Sequence, residues 1–97
     1  MSDSIWYLYI LRCRGNTLYT GITVDVQKRF AAHCQGKGAK YTRGRGPLEL
    51  VYQEECGSHS AALKREHEIK GLSRDEKECL IRTFAPERSL DKKVDDE

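Results

Sequence analysis

The chain has no long apolar run: the longest, Ile5 to Leu11, falls far short of the ~20 residues that cross a bilayer as a helix. The opening Met1-Ser2-Asp3-Ser4 has no basic segment of the kind that begins a secretory signal. These absences set aside the membrane class and lead to the expectation of a cytoplasmic protein. There is no Cys-x-x-Cys pair, and Cys13, Cys34, Cys56 and Cys79 are not spaced with His33, His59 or His67 as in zinc modules. The cysteines therefore read as reduced thiols. No internal repeat is visible. What remains is 97 residues with 38% apolar content, enough for one modest core and no second.

The net charge of +2 conceals an asymmetry. From Arg12 to Arg45 there are eight cations (Arg12, Arg14, Lys28, Arg29, Lys37, Lys40, Arg43 and Arg45) against one acid, Asp25. The rest of the chain is net negative. A solvated charged face is the plain reading, but a one-sided cluster this dense in a small domain is the footprint expected of a phosphate-binding surface.

Ile5 to Leu11 is β-branched and aromatic with little alternation, which predicts a central strand covered on both faces. Arg14-Gly15-Asn16 supplies turn chemistry, and Thr17 to Thr23 reads as the returning strand of a hairpin. An odd-length loop would put Tyr7, Tyr9, Tyr19 and Gly21 on one face, whereas an even loop would separate Tyr9 from Tyr19. Thr23 or Asp25 can cap a helix to about Gln35, with Val26 and Phe30 inward, Gly36 as its stop, and Arg29 and His33 one turn apart. The stretch from Gly36 to Gly46 holds four glycines and four cations and is expected to be a mobile basic loop unable to bury a face. A third strand is predicted over Pro47 to Gln53, and a second helix from Ser58 or Ser60 to about Lys70. Ser73-Arg74-Asp75-Glu76 is a capping box for a third helix ending near Phe84. Residues 1–84 thus form one domain, and 85–97, charged and poor in apolar groups, are expected to be a disordered tail.

The second helix has an apolar stripe of Ala62, Leu63 and Ile69 with Glu66 at an inward position. A carboxylate there requires a cation nearby, either a metal ion, a basic side chain or simply Lys70 one turn on. Tyr9 and Tyr19, singly, are ordinary core aromatics. As a pair beside Arg29, and within reach of Glu66, their hydroxyls would form a compact polar pocket. Gly21 leaves room for a close approach or marks a bulge. His33 could share a phosphate with Arg29 or move a proton. Lys40, Arg43 and Arg45 suit backbone phosphates, with Arg12, Lys28 and Lys37 in the same basic cluster, and Tyr41 could stack on a base.

Tyr7-Leu8-Tyr9, then Tyr19-Thr20-Gly21 ten residues on, then Arg29, His33 and the helical Glu66, resemble the GIY-YIG nuclease pattern. The match is nearest to that family's small single-domain bacterial branch, with which the chain shares the GKGAKYTRGRGP loop and the ALKREHEIK helix. The pattern departs from the family in having Tyr7-Leu8 where Gly-Ile is usual, and Ile22 where some members have lysine. The resemblance implies an α+β fold, a three-stranded antiparallel sheet flanked by about three helices. It implies a metal-dependent endonuclease hydrolysing phosphodiester bonds in DNA, DNA ahead of RNA, in repair or processing and selective for structure. In the family the residue matched by Tyr19 helps activate the attacking water, and that matched by Arg29 stabilises phosphate charge. The match of Glu66 binds one divalent ion, Mg2+ or Mn2+, while Tyr9 matches the first-motif tyrosine and His33 a histidine or tyrosine position. Larger members carry an added DNA-binding domain, so a protein partner for targeting is also implied. The alternative is a non-catalytic nucleic-acid-binding module using the same basic pocket.

Overall fold

A computed structural model describes residues 4–38 and 42–84. Strand β1 (Trp6–Cys13) and strand β2 (Thr17–Thr23) form a hairpin, followed by helix α1 (Val26–Cys34), strand β3 (Glu49–Gly57), helix α2 (His59–Lys70) and a helix α3 over residues 74–84. The sheet is antiparallel with order β2-β1-β3, so β1 is central, and Leu8, Tyr9, Ile10 and Leu11 are all essentially inaccessible. That double burial is why this segment lacks the alternation of a half-exposed strand.

The hairpin turn, Arg14–Asn16, is three residues long, with Gly15 and Asn16 both in the left-handed region. Its odd length decides the register: Cys13 faces Thr17, Leu11 faces Tyr19, Tyr9 faces Gly21, and odd residues of both strands share a face. On that face Tyr9 and Leu11 pack with Val26 and Phe30 of α1 and with Tyr7, Tyr19, Leu48 and Leu50. On the other, Leu8 and Ile10 pack with Ile69 of α2 and Ile81, Leu80 and Phe84 of α3. Burial of each such large aliphatic side chain contributes about 1.5–3 kcal/mol.

The helices start where their caps direct. The Asp25 carboxylate accepts from the Lys28 amide, the Ser58 hydroxyl from the Ala61 amide, and Ser73 and Glu76 exchange reciprocal backbone bonds of 2.9 and 3.1 Å. Two strands run further than their apolar residues suggest. β1 continues through Arg12, whose guanidinium forks onto Glu78 of α3 at 3.0 Å to each oxygen. β3, expected to end at Gln53, reaches Gly57 because Arg65 of α2 neutralises Glu54, with Nε 2.6 Å from the carboxylate. Pairing with β1 skips Val51 and Cys56, two bulges that let Leu50 serve one face and Tyr52 the other. Leu63, expected in the inward stripe of α2, is instead exposed. The buried line is Ala62 and Ile69 with Glu66 half-buried between them, and Leu63 lies a quarter-turn off it.

All four cysteines are free. No helix among the described residues is long and apolar enough to cross a membrane. The expectation for 85–97 lies outside the described residues.

Candidate active site

Tyr9 stands at the centre. It is 1% exposed, and its hydroxyl lies 2.9 Å from His33 Nε2. The approach is possible only because its cross-strand partner is glycine: a Cβ on Gly21 would sit 2.6 Å from the Tyr9 oxygen. The β1–β2 register is regular through this point, so Gly21 serves a close approach and not a bulge.

α1 delivers the next two groups. Asp25 sets its first turn, and one turn separates Arg29 from the buried His33. The Arg29 guanidinium lies beside the Tyr9 hydroxyl and favours its ionised form. Tyr19 closes the cluster from β2, its ring edge-on to His33 at 5.3 Å between centroids and 6.3 Å from that of Tyr9. From α2, Glu66 lies near enough for its charge to reach Tyr9, while its carboxylate pairs with Lys70 at 3.3 Å. The five residues singled out in the sequence, Tyr9, Tyr19, Arg29, His33 and Glu66, therefore converge from four elements.

Burial is the main cause that pushes the Tyr9 phenol up to about 12, with the neighbouring Tyr19 and Glu66 adding to it and Arg29 opposing. His33 moves the other way: burial first, and then the charge of Arg29, hold its imidazole below the ordinary value of 6.5. At neutral pH the site therefore holds a neutral phenol beside a neutral imidazole.

Thr42 and Gly38 were not legible as site residues. Thr42, expected in a loop unable to bury anything, is 2% exposed with its Oγ1 2.7 Å from His33 Nδ1. Gly38 runs so close over the same ring that a Cβ there would come within 2.1 Å of Nδ1. Gly38 and Thr42 are thus held against His33, and Arg45 is tied by its carbonyl accepting from the Arg14 amide at 2.7 Å. The only sequence signal was a threonine set among glycines and cations.

Of the candidate phosphate-binding cations, Lys28, Lys37, Arg43 and Arg45 are exposed. Arg12 does not join them, being held by Glu78 and by the Asn16 side chain at 2.7 Å. Lys40 and Tyr41 lie outside the described residues. No group of three or more His, Cys, Asp or Glu that could hold a metal ion is gathered among the described residues, so Glu66 is the carboxylate this site offers.

A profile of the GIY-YIG catalytic domain matches residues 5–78. A UPF0213 protein of Natronomonas pharaonis is 59% identical over 75 residues, covering 77% of this chain and 88% of the relative. One from Yersinia pestis is 54% identical over 81 residues, covering 84% and 85%. Among solved structures, a UPF0213 protein from Bacillus halodurans is similar with TM-score 0.56 at 47% identity, covering 84% of this chain and 88% of that one. A protein from E. faecalis is similar with TM-score 0.58 at 34% identity, covering 87% and 91%.

Proposed function

The chain belongs to the GIY-YIG family, and from that premise we propose that it is a divalent-metal-dependent endonuclease, hydrolysing phosphodiester bonds in DNA in the cytoplasm. The observation that carries this reading is the Tyr9–His33 hydrogen bond, with Arg29 beside the same hydroxyl and Lys28 of α1, Arg43 and Arg45 exposed.

Hydrolysis requires a proton to leave the attacking water and charge to be neutralised on the phosphoryl oxygens. With its phenol near 12, Tyr9 holds little free phenolate at neutral pH, so it serves as a relay. The water's proton passes to the Tyr9 oxygen as the Tyr9 proton passes to His33 Nε2. The hydroxide formed attacks phosphorus, the bond to the leaving oxygen breaks, and that oxygen takes a proton from solvent. The imidazolium then returns its proton to the Tyr9 oxygen as the Tyr9 proton passes to an incoming water. This gives Tyr9 the water-activating role that the family resemblance attached to Tyr19, and leaves Tyr19 to orient the water and imidazole. Arg29 binds a non-bridging oxygen, and loss of such a donor costs about 10²–10³ in rate.

Glu66 is the residue that would hold a hard divalent cation. A single carboxylate suits magnesium or manganese, which accept water and phosphate oxygens for the rest of their shell. Such an ion would supply charge neutralisation at the phosphoryl oxygens.

The test is cleavage of single-stranded, duplex, flapped and junction DNA, with an RNA control, by the protein and by Glu66→Ala, with manganese or with chelator. Cleavage abolished by chelator and by the substitution is the expected result. Cutting by Glu66→Ala at the original rate would refute the assignment. The Glu66–Lys70 ion pair favours a second reading, a module that grips phosphates without cutting. Its mark would be salt-dependent binding indifferent to magnesium and to Glu66.

A further inference from the structure

We propose that Thr42 is a positioning residue: it holds the His33 proton on Nδ1 and so leaves Nε2 bare as the acceptor for the Tyr9 proton. The inference rests on the nuclease reading for its catalytic consequence, but not for its structural content.

The argument follows from donor and acceptor counts. A guanidinium can only donate, so Arg29, which acts on the Tyr9 phenol as a donor does, meets the Tyr9 oxygen as an acceptor. Were Nε2 also to donate to that oxygen, the buried Tyr9 proton would be stranded, so it is directed to its neighbour His33 Nε2, at 2.9 Å. A nitrogen that accepts carries no hydrogen, and a neutral imidazole has only one, so it resides on Nδ1. Nδ1 has a partner placed for it, the Thr42 hydroxyl oxygen at 2.7 Å. The ring and the Thr42 hydroxyl are nearly inaccessible, so water does not replace Thr42 beside Nδ1.

The surroundings fit this role. Thr42 is buried although Arg43, Gly44, Arg45 and Gly46 after it are exposed. Gly38, before it, lies against the His33 ring with no room for a side chain. Gly38 and Thr42 therefore fix the imidazole in plane and in tautomer together. Since Arg43 follows Thr42 directly, the segment that would grip a phosphate backbone is the one that sets the proton acceptor.

The test uses the full chain labelled with ¹⁵N at histidine, comparing the original protein, Thr42→Val and Thr42→Ser by ring-nitrogen chemical shifts, with cleavage kinetics alongside. Expected are a protonated Nδ1 and a bare Nε2 for His33 in the original protein and in Thr42→Ser. In Thr42→Val that signature should be lost, kcat should fall on the order of 10²-fold as for other misplaced proton-transfer groups, and KM should stay within about twofold. A protonated Nε2 in the original protein would overturn the proposal whatever the variants do, including a failure of the valine variant to fold. An unchanged tautomer and kcat in Thr42→Val would overturn it equally. If the original protein cuts no substrate, the nuclease reading fails by itself, and the ring-nitrogen signals of the three proteins still decide the role of Thr42.

Discussion

Replacement of Gly21 by alanine tests whether the site depends on Tyr9 lying across the backbone of β2. The added Cβ would stand 2.6 Å from the Tyr9 oxygen and 2.7 Å from its Cζ, whereas ordinary contact begins at 3.4 Å. The ring must therefore retreat by about 0.8 Å, and at 1% exposure it has no solvent to retreat into. A shift of that size either stretches the 2.9 Å bond to His33 beyond range or drives the two groups into a clash. Overpacking of this kind costs about 1–3 kcal/mol and the lost buried hydrogen bond about 1 kcal/mol. Reduced freedom of the unfolded chain returns about 0.4–1 kcal/mol. A net loss of about 2 kcal/mol corresponds to a fall in Tm of about 8–16 °C for a domain of this size. Gly71→Ala is the control, because its Cβ would meet nothing nearer than 3.5 Å and its φ of −84° suits any residue. Thermal melts by circular dichroism, with cleavage rates alongside, read both effects, and cleavage should fall about 10²-fold. A Gly21→Ala protein that melts and cuts like the original would refute the close packing of Tyr9 on β2.

The exposed cations and the half-buried Arg12 should separate in binding. Arg43→Gln and Arg45→Gln should each lower the slope of log K against log salt for duplex DNA by up to about 0.9, whereas Arg12→Gln should leave the slope unchanged and lower Tm, read by binding titrations and melts. Arg12 hydrogen bonds, helped by Arg74 and opposed by burial, hold the Glu78 carboxyl down to about 2 from its usual 4.5. That contribution is present above 4.5 and lost as pH falls toward 2, so Glu78→Gln should flatten the acid limb of the stability curve and cost about 1 kcal/mol at pH 7, the magnitude of a well-formed, partly solvated pair. His33, faced by Tyr9, Tyr19, Arg29 and Thr42, is held neutral, so both stability and cleavage should be full above 6.5 and decline as pH drops below it through the lowered value of the folded state. A pH–rate profile with no acid limb in this range would refute the acceptor role of His33.

What the chain determined by itself lies within a few residues of each signal. Asp25, Ser58 and the Ser73–Glu76 box start their helices through bonds spanning three residues, and the apolar density of Ile5 to Leu11 foretells a strand covered on both sides. The five central candidates, Tyr9, Tyr19, Arg29, His33 and Glu66, were legible because paired tyrosines, an arginine one turn from a histidine, and a carboxylate on an apolar face are all visible in spacing. The tertiary structure decided the rest. Whether Tyr9 and Tyr19 share a face hung on a hairpin turn whose odd length only the register establishes. Arg12 read as a phosphate ligand until Glu78, 66 residues away, took up its guanidinium, and β3 read as short until Arg65 neutralised Glu54. Thr42 and Gly38 carry no periodicity that marks them, because their place depends on contacts with the His33 ring, which has a hydroxyl and an absent side chain beside it. Local hydrogen bonds and alternation are short-range and leave a trace in the sequence, whereas the neutralisation of a charge or the tautomer of a buried imidazole depends on partners that only the completed fold brings within reach.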